Sequence, residues 1–565
     1  MAKIGDLLVQ RGLIKPEQLA LAIEENKRSG EILGQVLVRM KLVTQAQLLE
    51  TLAEQLELLF YPSLQKIVVS EEVIRAVPAK FVWHYKFMPL NIRGKVLTIA
   101  VSDPFAVWPM EDLKLHLGYD VVRGLATEEE ILSALRRYYG VGAETVEEIL
   151  LQSSQPAAAA PKEAKKTAAA GGDIEDLENF AQDASVVKLV NQILTEAVSS
   201  RTTDIHLESY RDRVLVRYRI DGILYEIRLP QQVKDLYAAI VSRIKIMANL
   251  NVVERRMPQD GRAIIKVQDK QVDLRISIIP ALHGENVVIR ILPMNMLFNL
   301  GDLGMKPEDL KNLESLLAKP HGIVFLTGPT GSGKTTTLYA CLSKLNKEAI
   351  KIITIEDPIE YELNGVMQIQ VRPEIGFTFA NALRSILRHD PDIMMVGEVR
   401  DLETAELAIR TSLTGHLIFS TLHTNDSCSG VTRLLDIGIE PYLVASSVNA
   451  FISQRLVRVI CPNCKQERKD KDALPKWIRD TRTFYGKGCD HCKSSGYRGR
   501  VAIYEMLFIN DALRELITNK VSVSQIKAKA KEIGFKTLFD AGVEKIKEGV
   551  TTAEEVLRVA ELESD

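Results

Sequence analysis

A chain of 565 residues is too long for one hydrophobic core and implies roughly four domains. With 46% hydrophobic and 26% charged residues it is ordinarily globular, and a net charge of −2 provides no overall basic field for nucleic acid as the main partner. No run approaches the ~20 apolar residues of a membrane span, and the start of the chain lacks the apolar core of a signal peptide, so a cytoplasmic location is expected.

The first element in chain order is a repeat. Ile4-Gly5-Asp6-Leu7-Leu8 is followed by Leu13-Ile14 and by Leu19, Ile23 and Asn26. Twenty-nine residues later come Leu33-Gly34-Gln35-Val36-Leu37, Leu42-Val43, Leu48, Leu52 and Gln55. In each copy the apolar spacing predicts two short amphipathic helices joined by a turn, so residues 1–58 form a helical repeat module. A second N-terminal α+β domain, 59–145, mixes a strand-like run at 96–101 with a helical one at 128–139. Residues 146–183 read as a flexible Ala/Pro linker, because 155–162 and 168–172 hold almost no large apolar side chains to offset ordering. Such a tether would leave the first 150 residues mobile relative to the rest.

From 184 to 298 an α+β domain is expected: a helix at 186–198, then strands at 214–219, 263–267 and 287–292. From 299 to 565 helical and β patterns alternate, as in a parallel, helix-covered sheet. The fold class is therefore multidomain α/β.

His321–Thr327 is a short apolar run, hence a buried strand. It leads into Gly328, Pro329, Thr330, Gly331, Ser332, Gly333, Lys334, Thr335 and Thr336, a G-x-x-x-x-G-K-T phosphate-binding loop that opens a helix. Its glycines let backbone N–H groups cradle the phosphates of ATP at a helix N-terminus. Lys334 would supply a point charge to the β- and γ-phosphates, and the Thr335 hydroxyl would ligate Mg²⁺. A second apolar strand, 393–396, ends in Gly397-Glu398-Val399-Arg400-Asp401. Glu398 takes the acidic position beside the loop strand where magnesium and the attacking water are managed.

Between them, the strand at 352–355 ends in Glu356-Asp357-Pro358-Ile359-Glu360. A carboxylate there could act as general base; Glu356 is the first choice and Glu360 the second. Downstream, His416 and His423 flank one more strand. Sensing of the γ-phosphate and a structural role are both open for them.

Cys461-Pro-Asn-Cys464 and Cys489-Asp-His-Cys492 are separated by 24 residues. Two C-x-x-C knuckles present four thiolates for a tetrahedral Zn²⁺ with no open position, a structural module at about 455–505. Cys341 and Cys428 stand alone and read as small core residues.

With these blocks on the page, the chain resembles the type II/IV secretion ATPases over nearly its whole length. The resemblance rests on the loop at 328–335, an aspartate box (355–360), the Walker B segment 397–401 and a histidine box (414–423). It implies a RecA-like P-loop NTPase domain preceded by a PAS-like α+β domain, assembled as a homohexamer. That motor would act on an inner-membrane platform protein and its associated assembly proteins, peripherally at the membrane. It also implies that at least one arginine before the loop acts on a neighbouring subunit's nucleotide. Arg219 and Arg275 lead, with Arg217 and Arg290 in matching segments; a surface strand residue or internal ion pair is the alternative for any one of them.

In that family the tetracysteine insert, followed here by Gly496–Arg500 and Ile503–Glu505, marks the assembly branch, and retraction motors typically lack it. The resemblance thus points to pilin polymerisation in type IV pilus extension, ahead of type II secretion. A nucleic-acid motor is disfavoured by the neutral charge, and a non-hydrolysing adaptor by the set Lys334, Glu356 and Glu398. Finally, the repeat resembles a module that can bind cyclic di-GMP. It departs from that motif at Lys3 and Ile32, where arginines would stack on and fork to guanine, and at Lys41 in place of a glycine. Protein docking is the other reading of the repeat.

Overall fold

The computed structural model describes residues 4–104, 114, 117–143, 145–146, 183–230, 232–267, 270–293, 298–470 and 474–560. It divides into two compact units, Met1–Leu292 and Pro293–Asp565.

In the first unit the repeat forms the expected helix pairs, Ile4–Gln10 with Pro16–Ser29 and Leu33–Arg39 with Gln45–Gln55. The glycines of the two copies do the same work. A Cβ on Gly5 would lie 2.7 Å from Leu19, and one on Gly34 would lie 2.9 Å from Leu48. A glycine lets each first helix seat against the leucine of its second without that leucine's methyls having to move. Leu8, Ile14, Ala22, Val36, Leu37, Val43 and Leu48 close the module's core. Lys41 takes a left-handed backbone (φ 58°) where its repeat-mate Gly12 does so at φ 69°. The chain turns there in both copies, but at a steric cost in the second.

Next come β1 (Leu59–Phe60), β2 (Met88–Arg93), β3 (Val96–Val101) and β4 (Asp120–Leu125), in a sheet of order β1-β4-β3-β2 backed by the helix Glu128–Tyr138. The expected linker lies outside the described residues except at its ends. There Val146 is buried in the core of the following domain. Thr145 Oγ1 lies 3.1 Å from Gln192 Oε1, and the Val141 N–H donates to the Arg228 carbonyl at 3.1 Å. The domain before the linker is thus packed on the one after it rather than merely tethered. Linker composition reports on the tether alone and carries no sign of contacts made beside it.

That following domain holds β5 (Thr202–Ser209), β6 (Val214–Ile220), β7 (Ile223–Ile227), β8 (Gln259–Val267), β9 (Lys270–Ala281) and β10 (Gly284–Pro293) in the order β7-β6-β5-β10-β9-β8. The helices Ala184–Ser199 and Val233–Met247 cover one face with Leu189, Ile193, Leu236 and Ile240.

The second unit is built on β11 (Gly322–Thr327), β12 (Ile352–Glu356), β13 (Met367–Gln370), β14 (Ile393–Val396), β15 (Leu417–Leu422) and β16 (Val448–Ile460). A small hairpin, β17 (Lys465–Glu467) and β18 (Phe484–Gly486), interrupts the chain before β19 (Tyr497–Phe508). The sheet order is β13-β12-β14-β15-β11-β16-β19, and only the β16–β19 pairing is antiparallel. Along β11, Ile323 and Phe325 enter one apolar layer while Val324 and Leu326 enter the other. Burial on both faces explains why the strand reads as an unbroken apolar run. Because the strands are parallel, the carboxyl ends of β11, β12, β14 and β15 share one edge, where open α/β sheets place their ligands.

Candidate functional site

The loop Gly328–Gly333 leaves β11 at that edge and opens the helix Lys334–Leu345. Gly328 (φ +139°) and Gly333 (φ +90°) take backbone conformations that L side chains avoid. A Cβ on either would lie 2.7 Å from Gln454, from its carbonyl oxygen and its amide nitrogen respectively. Gln454 reaches this position because Ser453 pairs with Thr327, so the residues after it run beside the loop. Its Oε1 accepts from Thr337 Oγ1 at 2.8 Å, fixing the first turn of the helix beneath the loop.

Lys334 Nζ donates to the Gly328 and Pro329 carbonyls at 2.7 and 3.0 Å. Burial, with a smaller contribution from Arg455, brings its amine down to about 8 against the opposing pull of Glu398. Phosphate oxygens favour the charged lysine, so nucleotide binding should draw in a proton above that pH. Affinity for a non-hydrolysable ATP analogue should therefore weaken by up to about tenfold per unit as pH rises past 8. Titration of a fluorescent analogue from pH 7 to 9.5 checks this, and a flat profile would contradict it.

Beside the loop, Glu398 follows β14 with its side chain 11% exposed, ion-paired to Arg400 and 3.3 Å from His423 Nε2. His423 follows β15. The stretch after it is pinned from three strands: Thr327 Oγ1 donates to the Asp426 carbonyl, Arg455 Nη2 to Asn425, and Ser427 Oγ and N–H to Glu505 Oε1. Lys334, Glu398 and His423 thus stand on one edge, with Glu398 acting on Lys334 through charge and lying 3.3 Å from His423 Nε2.

One expected site residue is placed elsewhere, and another is enclosed. His416 precedes β15, and Leu417 pairs with Gly322 at the start of β11. The whole six-residue strand, about 20 Å at 3.3 Å per residue, separates it from its own chain's loop. Its Nδ1 lies 3.1 Å from the Thr411 carbonyl oxygen, so it finishes the preceding helix. Glu356 ends β12 at the correct edge but is only 4% exposed. Thr354 Oγ1 donates to its Oε1 at 2.6 Å, Gln368 Nε2 to the same oxygen at 3.0 Å, and the Tyr339 hydroxyl to Oε2. Burial pushes this carboxyl up, against those three hydrogen bonds. With 4% exposure and three hydrogen bonds on its two oxygens, this carboxylate has little room left to accept from a water. Of the other carboxylates in that turn, Asp357 is exposed and Glu360, four residues on, is half-buried.

The arginines belong to the first unit. Arg219 and Arg290 both reach Asp204, at 3.7 and 2.9 Å, and Arg217 pairs with Glu208. Arg275 stands opposite Arg262 in the β8–β9 ladder. The four cysteines come together as their spacing predicts, at the base of the β16–β19 hairpin, with ligand atoms all within 4.8 Å of one another. Sulfur separations are 3.8 Å (Cys461–Cys489, Cys464–Cys492) and 3.7 Å (Cys489–Cys492). A tetrahedron with Zn–S bonds of about 2.3 Å has edges of about 3.8 Å. The cluster therefore fits zinc. Cys341 and Cys428 are buried in the cores.

The sequence reading had missed Tyr339, Gln368, Gln454 and Arg455. Each acts across the sheet or helix layer, from strands or helices whose adjacency no local motif announces.

Comparison with known proteins places the chain among relatives. A family model described as Type II/IV secretion system protein matches residues 179–558, and a model of the MshEN domain matches 58–145. The chain is 41% identical to the Type IV pilus assembly ATPase PilB of Myxococcus xanthus over 565 residues, 98% of each protein. It is 40% identical to Type II secretion system protein E of Xanthomonas campestris over 570 residues, covering 99% of this chain and 98% of that one. The X-ray structure of the Yersinia pseudotuberculosis ATPase DotB shares its fold, with a TM-score of 0.50 at 20% identity over 66% of this chain and 93% of that one. Among the described residues, no helix is long and apolar enough to cross a membrane.

Proposed function

The chain belongs to the type II/IV secretion ATPase family, and from that membership we propose that it is a homohexameric motor that hydrolyses ATP to drive pilin polymerisation in type IV pilus extension. The observation that carries the hydrolytic part is the gathering of Lys334, Glu398 and His423 around the loop at one sheet edge. Lys334 holds the β- and γ-phosphates of ATP, and His423, resting on Glu398, reports on the γ-phosphate. The Thr335 hydroxyl and the Glu398 carboxylate would hold magnesium, an oxygen set that suits this hard cation, and the ion would supply positive charge to the phosphates.

Glu360 is the base. It takes a proton from water as the water oxygen bonds to the γ-phosphorus and the bond to the β-phosphate oxygen breaks. Arg219 or Arg275 from a neighbouring subunit completes the charge around the departing phosphoryl group, with Arg217 and Arg290 beside them. Asp204 holds Arg219 and Arg290, and Glu208 holds Arg217, until then. Glu360→Gln should cut kcat at least about a hundredfold while ATP-analogue affinity is kept. A phosphate-release assay showing full turnover would remove Glu360 from the role.

The mechanical task rests on full-length similarity and on the cysteine module. The partner is an inner-membrane platform protein, reached from the cytoplasmic side. Type II secretion is the second reading, favoured by the equally complete match to the Xanthomonas protein. A deletion strain scored for surface pili and for exoprotein release separates them: loss of pili alone supports extension, and loss of secretion alone supports the second reading. The repeat at 1–58 is read as a docking module, with cyclic di-GMP as the competing ligand.

A further inference from the structure

Glu356 is an enclosed carboxylate at the nucleotide edge, 4% exposed, and its partners form a connected strut. Tyr339 stands on the loop helix five residues after Lys334, about 7.5 Å along its axis. Its hydroxyl donates to Glu356 at the end of β12, and the backbone amides of Tyr361 and Glu360 approach the same oxygen. Gln368 on β13 brackets the turn from the other side. Its Nε2 donates to Glu356 Oε1 and to the Tyr361 carbonyl, both at 3.0 Å, while its Oε1 accepts from the Leu363 N–H at 2.7 Å. Around them the rings of Phe298, Tyr339 and Tyr361 meet edge to face, with centroids 5.2, 5.4 and 6.2 Å apart.

The turn that carries Glu360 is therefore held at its start by Glu356 and at its end by Gln368. Both are tied through one phenol to the helix whose N-terminus faces the phosphates. A hydrophobic contact would give the same burial without direction. A carboxylate receiving three donors, from the loop helix, β12 and β13, fixes orientation because both of its oxygens are engaged.

We propose that Tyr339, Glu356 and Gln368 are positioning residues that set the distance between the phosphate-binding helix and Glu360. The inference rests on the reading of Glu360 as the base. The strut itself touches neither water nor nucleotide. Its effect is on geometry, where misplacing a reacting group by about 1 Å can cost about a hundredfold in rate.

Tyr339→Phe keeps the ring packing and removes only the hydroxyl. It should lower kcat tenfold or more and leave the dissociation constant of a non-hydrolysable ATP analogue within about twofold. The acidic limb of the kcat profile should also move to higher pH. The Tyr339 hydrogen bond is one of the contacts that hold the Glu356 carboxyl down against burial, and its loss lets the carboxyl protonate sooner. A purely structural tyrosine would lower the melting temperature without moving either quantity. Gln368→Met, on a less buried site, removes the bracket while sparing the helix and should show the same kcat loss. Wild-type kcat in both variants would overturn the strut. Glu360→Gln, assayed alongside, separates the two ideas: full turnover there sinks the base assignment, whatever Tyr339→Phe does.

Discussion

Lys334→Ala should reduce kcat/KM for ATP by about a thousandfold or more and remove detectable binding at micromolar nucleotide. The size follows from charge. A lysine about 4 Å from a phosphate oxygen contributes on the order of 4 kcal/mol per charge at a protein-surface dielectric, close to three factors of ten. The lysine also ties the Gly328 and Pro329 carbonyls, so its loss frees the loop that the glycines were placed to shape. Stability should be spared. Nζ is a desolvated cation at a helix N-terminus, where the helix dipole opposes positive charge, so alanine costs the fold little. Phosphate release, fluorescent-nucleotide binding and a thermal melt on the same preparation check the three parts. Near-normal turnover in a folded variant would end the phosphate-loop assignment. Lys334→Arg should recover little, because a planar fork cannot fill the space of a compact ammonium.

Much of this architecture could be read from the sequence where one short segment contains its own cause. The loop at 328–335 follows an apolar strand and opens a helix, and both neighbours are contiguous with it. The cysteines close on a metal because two knuckles need only be brought together once. The helical repeat is legible because Gly5 and Leu19 recur as Gly34 and Leu48 at the same spacing. What escaped is contact between distant segments. That Glu356 faces Tyr339 depends on which face of β12 the loop helix covers, and strand alternation alone leaves both faces open. Gln454 supports the loop because β16 lies next to β11, a matter of sheet order.

His416 is a different case. Two histidines flanking a six-residue strand must lie at opposite ends of it, so the spacing already held the answer. The packing of Val146 and Thr145 beyond the linker could not be read at all, since small apolar and hydroxyl residues at a linker's edge carry no distinctive signal.

Removing zinc, by chelation or by Cys461→Ser with Cys464→Ser, should unfold the segment between β16 and β19 and loosen the C-terminal helices while leaving ATP binding in place. Four thiolates 3.7–3.8 Å apart repel one another unless a cation sits among them. Structural zinc of this type contributes on the order of 10 kcal/mol, more than this small module can replace. Near the cysteines its other ties include Cys461 N–H to the Gly496 carbonyl at 2.9 Å, Lys487 N–H to the Cys464 carbonyl at 3.1 Å, and the short β17–β18 ladder.

The consequence reaches further because Leu474 and Ile478 share a core with Leu538, Ile546 and Val556, and Trp477 meets Phe539 at 4.8 Å. Loss of the cage therefore exposes the helices Leu538–Lys547 and Ala553–Val559 to protease. The layers around β11 do not draw on that core, so the loop should still hold nucleotide. The expected result is about one zinc per chain by metal analysis and rapid cleavage within 461–497 or after 537 in the stripped protein, with analogue affinity little changed. Metal-free protein that resists cleavage would reject the cage. Equal loss of nucleotide binding would mean instead that the module and the ATPase layers unfold as one.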